Sequence, residues 1–120
     1  MIENFEFITK PLTRDEKKLL PFFKDCLKKT SKKKPLKNDI IIIKLDKIAA
    51  KKKINTKVNG VLVRKLTHYC RKNSELPIMA TSLGYYTSSD YFEIKSQIKS
   101  LLQRAYSIEQ AANGLEKFIK

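Results

Sequence analysis

Residues Lys57 to Thr87 read KVNGVLVRKLTHYCRKNSELPIMATSLGYYT and hold a helical pattern, a hairpin pattern and dense positive charge in one continuous piece. Asn59 can cap a helix, because its side-chain oxygen can accept a hydrogen bond from a free N–H of the first turn. The spacing predicts helix from Gly60 to about Lys72. At about 100° per residue, Leu62, Val63, Leu66, Tyr69 and Cys70 gather on one face, and Lys57, Gly60, Arg64, Thr67, His68 and Arg71 gather opposite. The first face suits a core and the second a partner. Pro77 cannot extend the helix, and Ile78-Met79-Ala80-Thr81 and Tyr85-Tyr86-Thr87 suit short strands. Ser82-Leu83-Gly84 lies between them as a turn, with Gly84 supplying any positive φ. A helix followed by a two-stranded hairpin is the back half of a winged helix-turn-helix.

Upstream of this stretch, Asn38 can cap a second helix carrying Ile40 to Ile43, Leu45, Ile48, Ala49 and Ala50 up to about Lys52. Four consecutive isoleucines also suit a buried strand, but the length of the segment and the spacing of Leu45 and Ile48 favour helix. Residues 53–58 then form a short turn, which completes helix, turn, helix. Earlier still, Thr13-Arg14-Asp15-Glu16 is a capping box that opens a helix through Leu19, Leu20, Phe23, Cys26 and Leu27, with a kink expected near Pro21. Met1 to Leu12 show no clear element and are read as an N-terminal arm. Lys28 to Pro35 read as a flexible basic loop, either solvated, in contact with phosphate or acting as a mobile basic arm.

Downstream, Asp90 caps a long helix. Ile94, Ile98, Leu101, Ala105, Ile108, Ala112, Leu115 and Ile119 are separated by 4, 3, 4, 3, 4, 3 and 4 residues, an apolar seam of the coiled-coil kind. The reading placed first is homodimerisation, parallel or antiparallel. The alternative is that the helix lies back on its own domain, which calls for a wider apolar face. The chain is thus divided into an arm at 1–12, a winged helix-turn-helix domain at 13–87 and a pairing helix at 88–120. Its fold class is mainly α with a small β-hairpin, that is, α+β.

The 120 residues carry a net charge of +14, and the excess is segregated. From Lys24 to Lys72 there are 17 Lys and Arg against 3 Asp and Glu, while the remainder balances to zero. A general lysine bias would scatter its charge, so a block of this kind points to a polyanion, with an acidic protein surface as the competitor. The two cysteines, Cys26 and Cys70, lack metal-site or disulfide spacing and are expected to be buried free thiols. With one histidine, the chain offers no catalytic triad and no metal cluster, so no catalytic residue, metal or cofactor is expected. No apolar run approaches a membrane span, and the acidic start MIENFEFITK lacks the features of a secretory signal. A soluble protein of the bacterial cytoplasm is expected.

The chain resembles the small winged-helix proteins encoded by bacteriophages and integrated mobile elements. The resemblance is carried by Leu12-Thr13-Arg14-Asp15-Glu16-Lys17-Lys18-Leu19-Leu20-Pro21, by Val63-Arg64-Lys65-Leu66 running into His68-Tyr69-Cys70-Arg71, and by Pro77-Ile78-Met79-Ala80-Thr81-Ser82-Leu83-Gly84-Tyr85-Tyr86. In that family the Leu62 position is often polar and the His68 position often asparagine, and the Ser-x-Gly-Tyr-Tyr segment closes the wing. The resemblance implies a fold more firmly than an activity.

The expected function is that of a dimeric DNA-binding regulator of transcription or replication. Arg64, His68 and Arg71 are the candidates for base edges, arginine being able to contact guanine bidentately. Lys51, Lys52, Lys53, Lys57, Lys65, Lys72 and Ser82 are the candidates for phosphate. A second reading is a phage inhibitor that binds a host nucleic-acid-handling defence enzyme through the same basic face. RNA binding through Tyr85 and Tyr86 comes third.

Overall fold

A computed structural model describes residues 5–119 of the chain. They are mainly helical, with one small antiparallel hairpin. The order is α1 (Phe5–Thr9), α2 (Arg14–Lys28), α3 (Asn38–Lys52), α4 (Gly60–Lys72), β1 (Ile78–Thr81), β2 (Gly84–Thr87) and α5 (Tyr91–Glu116). The chain divides after residue 88 into two compact units.

Local side-chain chemistry sets most of the helix starts. The Thr13 hydroxyl accepts from the Glu16 N–H at 3.2 Å while the Thr13 N–H donates to the Glu16 carboxylate at 2.8 Å, so both halves of the capping box form. Asn59 accepts from the Leu62 N–H and Asp90 from the Glu93 N–H, each at 2.9 Å. At α3 the expected cap is displaced by one residue. Lys37 occupies the cap position without a side-chain bond, and Asn38 is the first helical residue. Helix α2 continues through Pro21, whose ring is exposed.

The core is built where α2, α3 and α4 meet. Leu19, Phe23 and Leu27 of α2, Ile41 and Leu45 of α3 and Val63, Leu66 and Cys70 of α4 are all fully buried. Each such side chain contributes about 1.5–3 kcal/mol by leaving water. In α3 the buried residues Ile41, Leu45 and Ala49 recur every fourth position, while Ile40 and Ile43 are 40% and 50% exposed. That periodicity belongs to a helix and excludes the strand alternative.

Helix α4 packs against α1, α3 and β1. The contact with α1 corrects the reading of residues 1–12 as an arm. Residues 1–4 lie outside the described residues, but Phe5–Thr9 is helical, and Ile8 and Leu12 are buried. A five-residue helix is too short to persist by itself in water, so its packing holds it.

The hairpin pairs Ile78 with Thr87 and Thr81 with Gly84, which leaves Ser82 and Leu83 as the two turn residues. Gly84, placed in the turn by the sequence reading, instead begins β2 with φ +133°. A third segment joins on the other side of β2, because the Leu36 and Tyr85 backbones exchange hydrogen bonds of 2.8 and 2.9 Å. The Thr87 N–H also donates to the Thr30 hydroxyl at 3.0 Å. The basic loop between them is therefore fastened at both ends. It turns tightly, with Ser31 and Lys34 bridged and Lys32 and Lys33 exposed at the tip, which corrects the expectation of a flexible loop.

The second unit contains α5, in which no residue is buried. Ile98, Leu102, Ile108 and Leu115 are 50%, 65%, 46% and 65% exposed. The helix ends at Glu116, so Ile119, counted in the seam by its spacing, lies beyond it. A Cβ added at Gly114 would meet nothing within 4 Å. Gly114→Ala is therefore expected to stabilise this helix by about 1 kcal/mol, read as a gain in helicity by circular dichroism.

Candidate nucleic-acid interface

The charged block of the sequence is largely exposed in the fold. Lys32, Lys33, Lys34 and Lys37 before α3, Lys44, Lys47, Lys51, Lys52 and Lys53 along and after it, and Lys57 and Arg64 in and before α4 all face solvent. Three cations of the block are tied to acids: Lys24 to Glu75, Lys28 to Asp25 at 3.3 Å, and Lys65 to Glu16 at 2.6 Å.

A shallow groove of about 730 Å³ lies among the starts of α3 and α4 and the end of the hairpin. Lys37 lines it from the cap of α3, Asn38 and Asp39 from α3, Gly60 and Arg64 from α4, and Thr81, Ser82, Leu83 and Tyr85 from the hairpin. At the tip the Thr81 hydroxyl accepts from the Leu83 N–H and donates to the Gly84 carbonyl, both at 3.2 Å, which fixes the turn. Ser82 is exposed and Leu83 is 67% exposed.

On α4 the accessible side chains form a row at four-residue spacing, with exposed Arg64 and Lys72 on either side of half-buried His68. His68 titrates below the ordinary histidine value, first because burial disfavours its charged form and then because Lys72 and Arg71 repel a proton. It is neutral at pH 7 and offers one donor and one acceptor. Burial raises the Tyr85 phenol above its usual value, against the pull of Arg64 and Arg71, so the hydroxyl keeps its proton.

The groove brings two of the expected contact residues together, Arg64 and Ser82. Lys57 lines a different groove, beside Thr13, Asp15 and Asn55. Lys52 sits 5.9 Å from the Phe22 ring centroid, at the α2 side of α3.

Two expected contacts are corrected. Lys65 cannot meet phosphate: its side chain is 2% exposed, bonded to Glu16 and 4.3 Å from the Phe7 ring centroid. Arg71 was expected on base edges, but its Nε donates to the Ile78 carbonyl at 3.0 Å and its Nη2 is buried, so it joins α4 to β1. Thr67, also assigned outward, is buried and donates to the Val63 carbonyl at 2.8 Å. The sequence reading missed Lys37 and Asn38 as lining residues. Their signal was position, a lysine and an amide at the first residues of the helix that precedes the outward face.

Burial pushes the Cys70 thiol up to about 11, with Lys24 opposing the rise and Glu75 adding to it. Cys26, expected to be buried, is half-buried, and its thiol is likewise raised by burial. Among the described residues no three His, Cys, Asp or Glu are grouped to hold a metal ion, and no helix is long and apolar enough to cross a membrane. No protein-family model matches the chain, and no curated protein or solved structure is significantly similar to it.

Proposed function

We propose that the chain is a winged helix-turn-helix protein that binds double-stranded DNA and acts as a dimeric, phage-type regulator of transcription or replication. The element order supports the fold part of this reading: after the short α1 come α2, α3 and α4, then a hairpin whose second strand also pairs with the segment between α2 and α3. The observation that carries the function is the shared groove of α3, α4 and hairpin tip, lined by Lys37 and Arg64, on a unit whose other lysines are mostly exposed. A major groove about 12 Å wide admits one α-helix, and the Arg64–His68–Lys72 row would face base edges and the adjoining backbone. Lys37 and Ser82 would then meet phosphates on either side of that helix, setting register without reading sequence.

Anisotropy of a labelled duplex titrated across salt tests the reading. Neutralisation of about five phosphates gives a log–log slope near −4.5. Arg64→Ala is expected to weaken binding by about tenfold to a hundredfold, the range of one bidentate base contact, without lowering the melting temperature. Affinity indifferent both to salt and to Arg64→Ala would overturn the proposal.

A further inference from the structure

The apolar residues of α5 fall in two rows of different size. Ile94, Leu101, Ile108 and Leu115 recur every seventh residue and are all large, whereas the second row is Ile98, Ala105 and Ala112. In a parallel, in-register pair each row meets itself, so Ala105 would face the partner's Ala105 and Ala112 the partner's Ala112. Two thin layers would then alternate with the large ones at Leu101, Ile108 and Leu115, and poorly filled layers forfeit contact energy. In an antiparallel pair the rows meet each other. In the register that overlaps residues 97–116 of the two helices, Ile98 faces the partner's Leu115, Leu101 the partner's Ala112 and Ala105 the partner's Ile108, so each small residue opposes a large one.

Charge agrees with this overlap. It brings Lys95 beside the partner's Glu116 at both ends, in exchange for the exposed contact that Lys95 makes with the Tyr91 hydroxyl at 2.9 Å. A parallel pair would offset Arg104 with the partner's Glu109, so charge does not separate the two orientations, and the alanine layers do.

We propose that α5 pairs with α5 of a second copy of this chain in antiparallel orientation, in a register that places Ala105 against the partner's Ile108. The inference rests on the dimer reading above and adds its geometry. With a rise of about 1.5 Å per residue, the two chain entries at Tyr91 lie about 46 Å apart along the pair in this register. The two-fold axis makes the surfaces equivalent, so a site read by both copies consists of two inverted half-sites rather than one continuous element.

Nitroxides at Ser96→Cys, on the outer face of the helix, test the orientation in a Cys26→Ser background, Cys70 being fully buried. An antiparallel pair predicts a spin–spin distance of roughly 35 Å and a parallel pair roughly 20 Å. The short distance overturns the orientation and leaves dimerisation standing. A monomeric mass in sedimentation overturns both, while duplex binding by the monomer is scored separately. Lys95→Glu should weaken the dimer about tenfold by placing like charges at both ends, and adding Glu116→Lys should restore it. Absence of that rescue also counts against the antiparallel register.

Discussion

Lys65→Met is expected to destabilise the N-terminal unit by about 3–5 kcal/mol, because it leaves Glu16 as an uncompensated buried charge. The Glu16 and Lys65 side chains are 5% and 2% exposed and meet at 2.6 Å. Glu16 is held in place by the capping bond from the Thr13 N–H, and Lys65 by the face of Phe7, so neither can swing to water without undoing a helix start or the α1 contact. At about 4 °C or more per kcal/mol in a domain of this size, the melting temperature should fall by at least about 12 °C. The double variant Glu16→Gln, Lys65→Met should recover much of that loss, since an amide keeps the capping bond and carries no charge. The acid limb carries the same signature. Burial alone would raise the Glu16 carboxyl, but the hydrogen bonds from Lys65 and Thr13 and the lysine charge outweigh it and hold it below the usual glutamate value. A carboxyl lowered on folding contributes stability above its unfolded value of about 4.3, and that contribution is lost as pH falls through the folded value. Thermal melts should therefore weaken on acidification below about pH 4.3 in the parent and less steeply in Glu16→Gln. A Lys65→Met protein as stable as the parent would remove the ion pair from the account of the fold.

Lys65 also shows where the sequence stops being legible. Helix α4 was readable from Gly60 to Lys72 because its cap, its apolar stripe and its terminator are all local. The capping box at Thr13 and the cap at Asp90 were readable for the same reason. Periodicity, however, treats lysine as surface, and the partner of Lys65 lies 49 residues away in the chain. The helix is covered by α1, α3 and β1, so well over half of its circumference is enclosed, a wider arc than its hydrophobic stripe implies. Lys65 and Thr67, on the flanks of that stripe, are buried with it, and Arg71 is drawn onto the hairpin backbone. Short pieces were equally opaque. Helix α1 has five residues, and the strand at Leu36 amounts to a single bridged pair, too little for any period to register. By contrast, helix α5 was readable from its cap at Asp90 and its regular spacing, because a repeat needs no tertiary context. Of the expected DNA-contact set, Arg64 and Ser82 line the groove, and what the sequence could not supply was which neighbouring lysines join them.

Gly84→Ala is expected to cost about 2–4 kcal/mol, from backbone strain together with overpacking. At φ +133° the position disfavours any side chain, and a Cβ there would lie 2.6 Å from the Leu36 carbonyl oxygen and 2.8 Å from its carbon. The obstacle is backbone, so no rotamer change relieves it. Leu36 would have to retreat, and in doing so break both hydrogen bonds it exchanges with Tyr85. The same movement would carry Lys37 and the start of α3 away from Ser82, opening the groove proposed to hold DNA. Leu83→Ala is the matched control, since a side chain 67% exposed at the turn should change stability by only about 0.5 kcal/mol. Urea titration of the two variants reads the difference, and hydrogen exchange locates it. The Leu36 and Tyr85 amides should lose protection together in Gly84→Ala, because each donates to the other residue's carbonyl, while amides in the centre of α4 fall only by the change in global stability. If instead the two amides keep their protection and the variant unfolds at the parent's midpoint, the Leu36 segment does not cross Gly84 closely enough to fix the hairpin against α3.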